Sequence, residues 1–196
     1  VIRVFTLHPS LLNLNGDQAN ALVLLRRANW AGFDLEIVPV TTPKAMADAL
    51  DYAKLGGNSF LLLGHGSAAA MKSLHKQFAE FRLWVSDMIA AGSYGLAVGS
   101  GYELVVPTFN RGERLSDYAD VELEGFAKLQ GYLNTDTDLP KAEFLSERFL
   151  VTMVHGPVLA RNPKVADFFL EGLGVKLNNN YRAAEVDALV EAINAG

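Results

Sequence analysis

The chain of 196 residues contains no cysteine. That excludes disulfides, thiolate metal sites and any thiol nucleophile. Basic clusters are also missing: 17 Lys and Arg are spread thinly against 22 Asp and Glu, for a net charge of −5. Nucleic acid and anionic membrane both need concentrated positive charge, so neither fits as the main partner. Apolar runs are short, as in Phe60–Leu63, and fall far below the roughly 20 residues of a membrane-spanning helix. The opening VIRVFTL reads as a strand rather than a basic segment leading into an apolar core. No secretory signal is visible there, and a cytoplasmic location is the expectation. Repeats, low-complexity tracts and linkers are absent too, so residues 1–196 are expected to form a single domain. The four histidines are dispersed without carboxylate spacing, so neither a metal nor a cofactor is expected.

What is present is ordinary globular composition, half hydrophobic and one fifth charged. Val1–Leu7, Phe33–Val40, Ser59–Leu63 and Gly95–Val98 read as strands. Between them lie helical patterns: Asp17–Trp30, with Ala19, Leu22 and Val23 on its inner face, then a helix begun by Thr42-Pro43, then a long stretch to about Ala91 broken near residue 80. This alternation predicts an α/β fold, a mostly parallel sheet with helices on both faces. Further on, Val121–Leu133 predicts one or two strands, Thr135–Pro140 a polar turn and Arg148–Val154 a strand. A helix opens at Asn162-Pro163. The last helix, Arg182–Asn194, is expected to turn Val186, Leu189, Val190 and Ile193 inward.

Three turns follow strands and would share one edge of such a sheet, where ligand sites form. Gly64-His65-Gly66-Ser67 can present backbone N–H groups to an oxyanion or a carboxylate, with His65 expected to sit exposed on the loop. Gly99-Ser100-Gly101 forms a tight elbow. His155, before Gly156-Pro157, is placed to act as a general base. His8 and His75 have no context that raises them. Ser100 lacks the flanking pattern of a hydrolase elbow, whose glycines stand two positions away on each side.

Four segments carry a family resemblance: LNLNGDQANALVLLRRANWAGFDLEIVPV, FLLLGHGSAAA, GLAVGSGYELV and VTMVHGPVLARNPKVADFFLE. In this order and spacing the chain resembles the class I glutamine amidotransferases of the cobyric acid synthase type. Among these it is most similar to the amidotransferase subunit of bacterial lipid II isoglutaminyl synthase, which works beside a Mur-ligase-like subunit. The resemblance implies a three-layer, flavodoxin-like α/β fold. It implies that Gly64, His65, Gly66 and Ser67, with Gly101 and Tyr102, form the oxyanion and ligand-binding loops, and that His155 is the catalytic histidine. Gly16, Asp17 and Asn20 match a family motif without an assigned role.

The family's cysteine nucleophile falls on Gly99, which has no side chain. Glu103 stands where the family has glutamine, His65 interrupts an otherwise glycine loop, and the region from about Ala127 to Phe149 is expected to lack the family's hairpin. No arginine for a glutamine carboxylate is identifiable there, although Arg111 and Arg114 are nearby cations. The implied function is an amidotransferase-like subunit that lacks glutaminase activity, partnered by a Mur-ligase-like protein in cell-wall precursor amidation or a derived process. Two alternatives stay open: a module binding a small amino acid or carboxylate, and a hydrolase using Ser100 and His155.

Overall fold

The computed structural model describes residues 1–177 and 181–195. Its frame is a six-stranded sheet in the order β2-β1-β3-β4-β8-β7. Strands β1 (Ile2–Leu7), β2 (Leu35–Val40), β3 (Ser59–Leu63), β4 (Tyr94–Val98) and β8 (Phe149–Thr152) pair in parallel. Only β7 (Ala142–Ser146), at the edge, is antiparallel.

Strand alternation sorts the core into two halves. Val4, Phe60, Leu62, Leu96, Val98 and Leu150 face α1 (Ala19–Trp30) and α7 (Pro163–Gly172), whose Leu24, Val165 and Phe169 fill that side. Their neighbours Phe5, Leu7, Leu61, Leu63, Ala97 and Val151 face α2 (Pro43–Lys54) and α4 (Phe78–Ala90) through Met46, Ala49, Phe81 and Met88. The expected α/β sandwich with both faces covered is therefore the fold. Thr42 caps α2 by accepting from the Ala45 N–H at 3.2 Å, with Pro43 opening the helix.

Several expectations are corrected. The long helical stretch breaks at a 3-10 turn over His75–Gln77, between α3 (Ala68–Leu74) and α4, earlier than residue 80. Helix α1 buries Asn20, Ala21, Leu24, Arg27 and Ala28, leaving Leu22 half exposed. Its inner face is rotated from the apolar one because Asn20 and Arg27 have polar partners on neighbouring elements. Arg27, 5% exposed, donates to Asp167 on α7 at 2.7 Å and to Asp187 on α8 (Tyr181–Ala195) at 2.8 Å. Arg27→Leu is expected to destabilise the fold by about 2 kcal/mol, measured by urea unfolding. That is below the cost of breaking a fully buried pair, because both carboxylates keep contact with water. Of the four apolar residues expected inward on helix α8, Val190 is half-buried, whereas Val186, Leu189 and Ile193 are 37%, 65% and 65% exposed. The helix is held by its polar contacts to α1 and α6 (Val158–Arg161), including Asn194 Nδ2 to the Arg161 carbonyl at 3.1 Å.

The largest correction concerns residues 111–137. They form a long antiparallel hairpin, β5 (Arg111–Leu123) and β6 (Phe126–Thr137), turning at Gly125. Val121–Leu133, read as one or two strands, is the turn end of this hairpin; the strands extend beyond it on both sides, and Thr135–Thr137 is strand rather than turn. The expected strand Arg148–Val154 is divided. At Met153 the chain leaves the parallel sheet, and β9 (Val154–His155) pairs with Leu133 and Tyr132 of β6 in a second sheet, β5-β6-β9. Thr152 supports the crossing by accepting from the Val154 N–H and donating to the Lys141 carbonyl. Among the described residues no helix is long and apolar enough to cross a membrane.

Candidate active site

The three turns meet at the carboxyl ends of β3, β4 and β9. Gly99 lies at the sharp turn from β4 into α5 (Ser100–Val105), with φ 55° and ψ −118°. This left-handed region is strained for any L-residue, so the elbow keeps a geometry that only glycine adopts freely. The space beyond it is filled. A Cβ on Gly99 would stand 2.6 Å from His155 Cε1 and nearer still to His65 Nδ1. His65, expected on the loop surface, is instead turned inward, edge-on to His155 with ring centroids 4.5 Å apart. Its Nδ1 accepts from the Ser100 N–H at 3.0 Å, which places the ring proton of the neutral form on Nε2.

Ser100 turns away from His155. Its Oγ accepts from the Gly66 N–H at 2.8 Å and lies 3.3 Å from the Gly66 carbonyl, to which it donates. The hydroxyl thus caps the loop amide that would serve an oxyanion. Both His155 nitrogens are also engaged: Nδ1 with Asn15 Nδ2 at 2.8 Å and Nε2 with the Asn134 carbonyl at 2.7 Å. A carbonyl can only accept, so Nε2 carries the proton and Nδ1 accepts from the Asn15 amide. Neither nitrogen keeps a free lone pair for a substrate.

The remaining predicted residues divide into cavity wall and support. Gly66, Ser67, Gly99 and Ser100 line a cavity of about 740 Å³ together with His65 and His155. Gly64 and Gly101 lie behind it as packing glycines: a Cβ on Gly101 would meet the Leu63 carbonyl oxygen at 2.6 Å, and one on Gly64 would meet Asp17 Cβ at 2.8 Å. Tyr102 is fully buried and its hydroxyl donates to Glu143 on β7, so it belongs to the sheet edge rather than to a ligand. Burial, followed by that carboxylate, raises its pKa. His75, without distinguishing context in the sequence, reaches the cavity wall.

The Gly16–Asn20 motif acquires a role. Asn20 is fully buried. Its Oδ1 accepts from the Leu159 N–H at 2.8 Å, and its Nδ2 donates to the Asp17 carbonyl at 2.9 Å and reaches the Gly156 carbonyl at 3.5 Å. Asp17, also fully buried, accepts from the His65 N–H at 3.2 Å through Oδ2, while Oδ1 has no partner among the described residues. The motif therefore braces the turns carrying His65 and His155 against each other. Burial raises the Asp17 pKa to about 6, against the opposing pull of the His65, Asn15 and Asp17 amides. Burial lowers His65 to about 4, with His155 and Arg114 adding to it. His155 is lowered too, chiefly by burial.

Sequence reasoning missed Asn15 and Asn134, the two partners of His155. Asn15 immediately precedes the recognised motif, which was its one available signal. Asn134 supplies a backbone carbonyl, which no side-chain pattern reveals. Glu103 and Asp136 are both bound by Arg111, the former at 2.9 Å, and Arg114 Nε donates to Asn134 Oδ1 at 2.9 Å. Among the described residues no group of three or more His, Asp or Glu is placed to hold a metal.

Among solved structures, a glutamine amidotransferase from Thermotoga maritima superposes with a TM-score of 0.51 over 98% of this chain and 94% of that one, at 13% identity. The fold is that of a glutamine amidotransferase. At that identity the likeness speaks for architecture alone. No protein-family model and no curated protein sequence matches the chain. Within the amidotransferase-like fold, the parallel strands deliver their turns to one edge, and the residues at that edge are this chain's own.

Proposed function

We propose that the chain is a glutamine amidotransferase-like subunit without glutaminase activity. In this reading it is the companion of a Mur-ligase-like protein, in cell-wall precursor amidation or a process derived from it. The observation that carries the loss of activity is the crowding at Gly99: the seat of a nucleophile holds the His65 ring instead. The partner and the pathway rest on the four-segment resemblance.

Two measurements test the proposal. Ammonia release from glutamine by the purified chain is expected to match a protein-free blank. Turnover at an enzyme-like rate overturns the inactive reading. Recovery of the tagged chain from its host, followed by mass spectrometry, is expected to return a stoichiometric Mur-ligase-like protein. A chain that returns alone removes the subunit role.

A ligand-binding module is the second reading, favoured by the 740 Å³ cavity and its cationic wall. The Ser100–His155 hydrolase has no such support. The hydroxyl is bonded to Gly66 and the imidazole has no free acceptor, whereas a working pair needs a nucleophile–base hydrogen bond.

A further inference from the structure

The charges around the cavity do not balance. Its two acids, Glu103 and Asp136, are both taken by Arg111. Arg82 and Arg114 also line it, and neither joins an ion pair among the described residues. Among the described residues Arg114 bonds only through Nε, to Asn134, which leaves its two terminal nitrogens for a ligand. It stands close enough to disfavour a positive charge on both His65 and His155. His65, with Nδ1 committed to Ser100, has one proton to donate, on Nε2. The lining also includes the apolar side chains of Met71, Phe78 and Phe109. A cavity of this size accepts a small organic molecule rather than a bare ion.

We infer that this cavity binds an organic acid, with its carboxylate between the Arg114 guanidinium and His65 Nε2–H and its apolar body on Met71, Phe78 and Phe109. A planar guanidinium suits a carboxylate because it can offer two parallel N–H groups. A neutral amide can accept only through its carbonyl dipole and gains less from that charge. The Gly66 N–H that would polarise an amide carbonyl is already bonded to Ser100. The inference rests on the reading that the seat at Gly99 is closed to glutaminase chemistry, and it supplies the second reading with a ligand class.

Isothermal titration of the whole chain at pH 7 tests it, using benzoate and hexanoate, their neutral counterparts benzamide and hexanamide, and inorganic phosphate. Both acids are expected to bind at least about tenfold more tightly than their amides. Arg114→Gln is expected to weaken the acids by about tenfold or more and the amides by less. Arg114 is exposed on β5, so the substitution carries little risk to folding. Equal affinity for acid and amide, no heat from either acid, or an Arg114→Gln protein that binds benzoate as before overturns the inference. Phosphate binding as tightly as benzoate overturns the part given to the apolar side chains. Glutamine turnover is assayed separately on the same sample. A positive result there sinks the inactive-subunit reading, and the acid–amide comparison is scored on its own.

Discussion

Gly99→Cys is expected to produce a less stable protein that still does not hydrolyse glutamine. Replacing the missing nucleophile puts a Cβ 2.6 Å from His155 Cε1 and closer still to His65 Nδ1, at a backbone φ of 55° that penalises any side chain. Overpacking and backbone strain together are expected to cost about 3 kcal/mol. His65→Gly clears the ring from that space. The double variant His65→Gly/Gly99→Cys is therefore expected to be more stable than the sum of the two single changes by about 1–2 kcal/mol, the signature of direct contact. Urea unfolding of the four proteins gives the coupling. If Gly99→Cys alone is as stable as the parent, or turns over glutamine, His65 does not occupy the nucleophile's seat.

The second large effect is one that acid unmasks. Asp17 has a folded pKa of about 6, raised from 3.8. Its neutral form suits the fold, so its contribution is complete below pH 3.8 and is lost as pH rises through 6. His65 is lowered from 6.5 to about 4. Its contribution is complete above pH 6.5 and is lost as pH falls through 4. Each shift of roughly 2 units corresponds to about 2–3 kcal/mol, the lower figure suiting the partly exposed His65 ring. The two oppose each other across one window. Asp17→Asn is expected to lose about 2 kcal/mol more than the parent between pH 6.5 and 4, because His65, assisted by His155, is then unopposed. His65→Gln is expected to tilt the other way relative to the parent, gaining stability on acidification. Unfolding curves at pH 4, 5, 6 and 7 decide the matter, and parallel profiles for all three proteins sink it.

The parallel sheet was legible because buried parallel strands are written as continuous apolar runs, as in Ser59–Leu63, and because Thr42-Pro43 marks a helix start chemically. The hairpin was legible only at its turn end, where Val121–Leu133 reads as strand. Strand β5 is exposed along most of its length, so its charged and polar residues carry no core-facing period. The division at Met153 was invisible for the opposite reason: Phe149–Val154 is apolar but for Thr152, and the change of sheet is made by the Thr152 hydroxyl and backbone bonds. Helix α8 shows that a 3.6-residue apolar period does not guarantee burial, since its place depends on Arg27 and Asn194. In the site, the sequence located the turns but not their occupancy. That His65 folds inward follows from the room left by Gly99 and from the amide of Ser100, which come together only in three dimensions.

The crossing at Met153 has a mechanical consequence. One unbroken backbone runs from β8, beside the edge strand of the first sheet, into the sheet of the β5–β6 hairpin, and His155 is the second residue past the junction. The same ring is tethered to the hairpin a second time, by the Asn134 carbonyl on Nε2. The β5–β6 arm is thus geared to the imidazole at two points, while the Asn20 brace fixes the turn behind it to the body of the protein. A displacement of the hairpin strands is therefore passed to the His155 ring. A hairpin anchored in the core through Val121, Leu123 and Leu129 thus also holds the imidazole that lines the cavity.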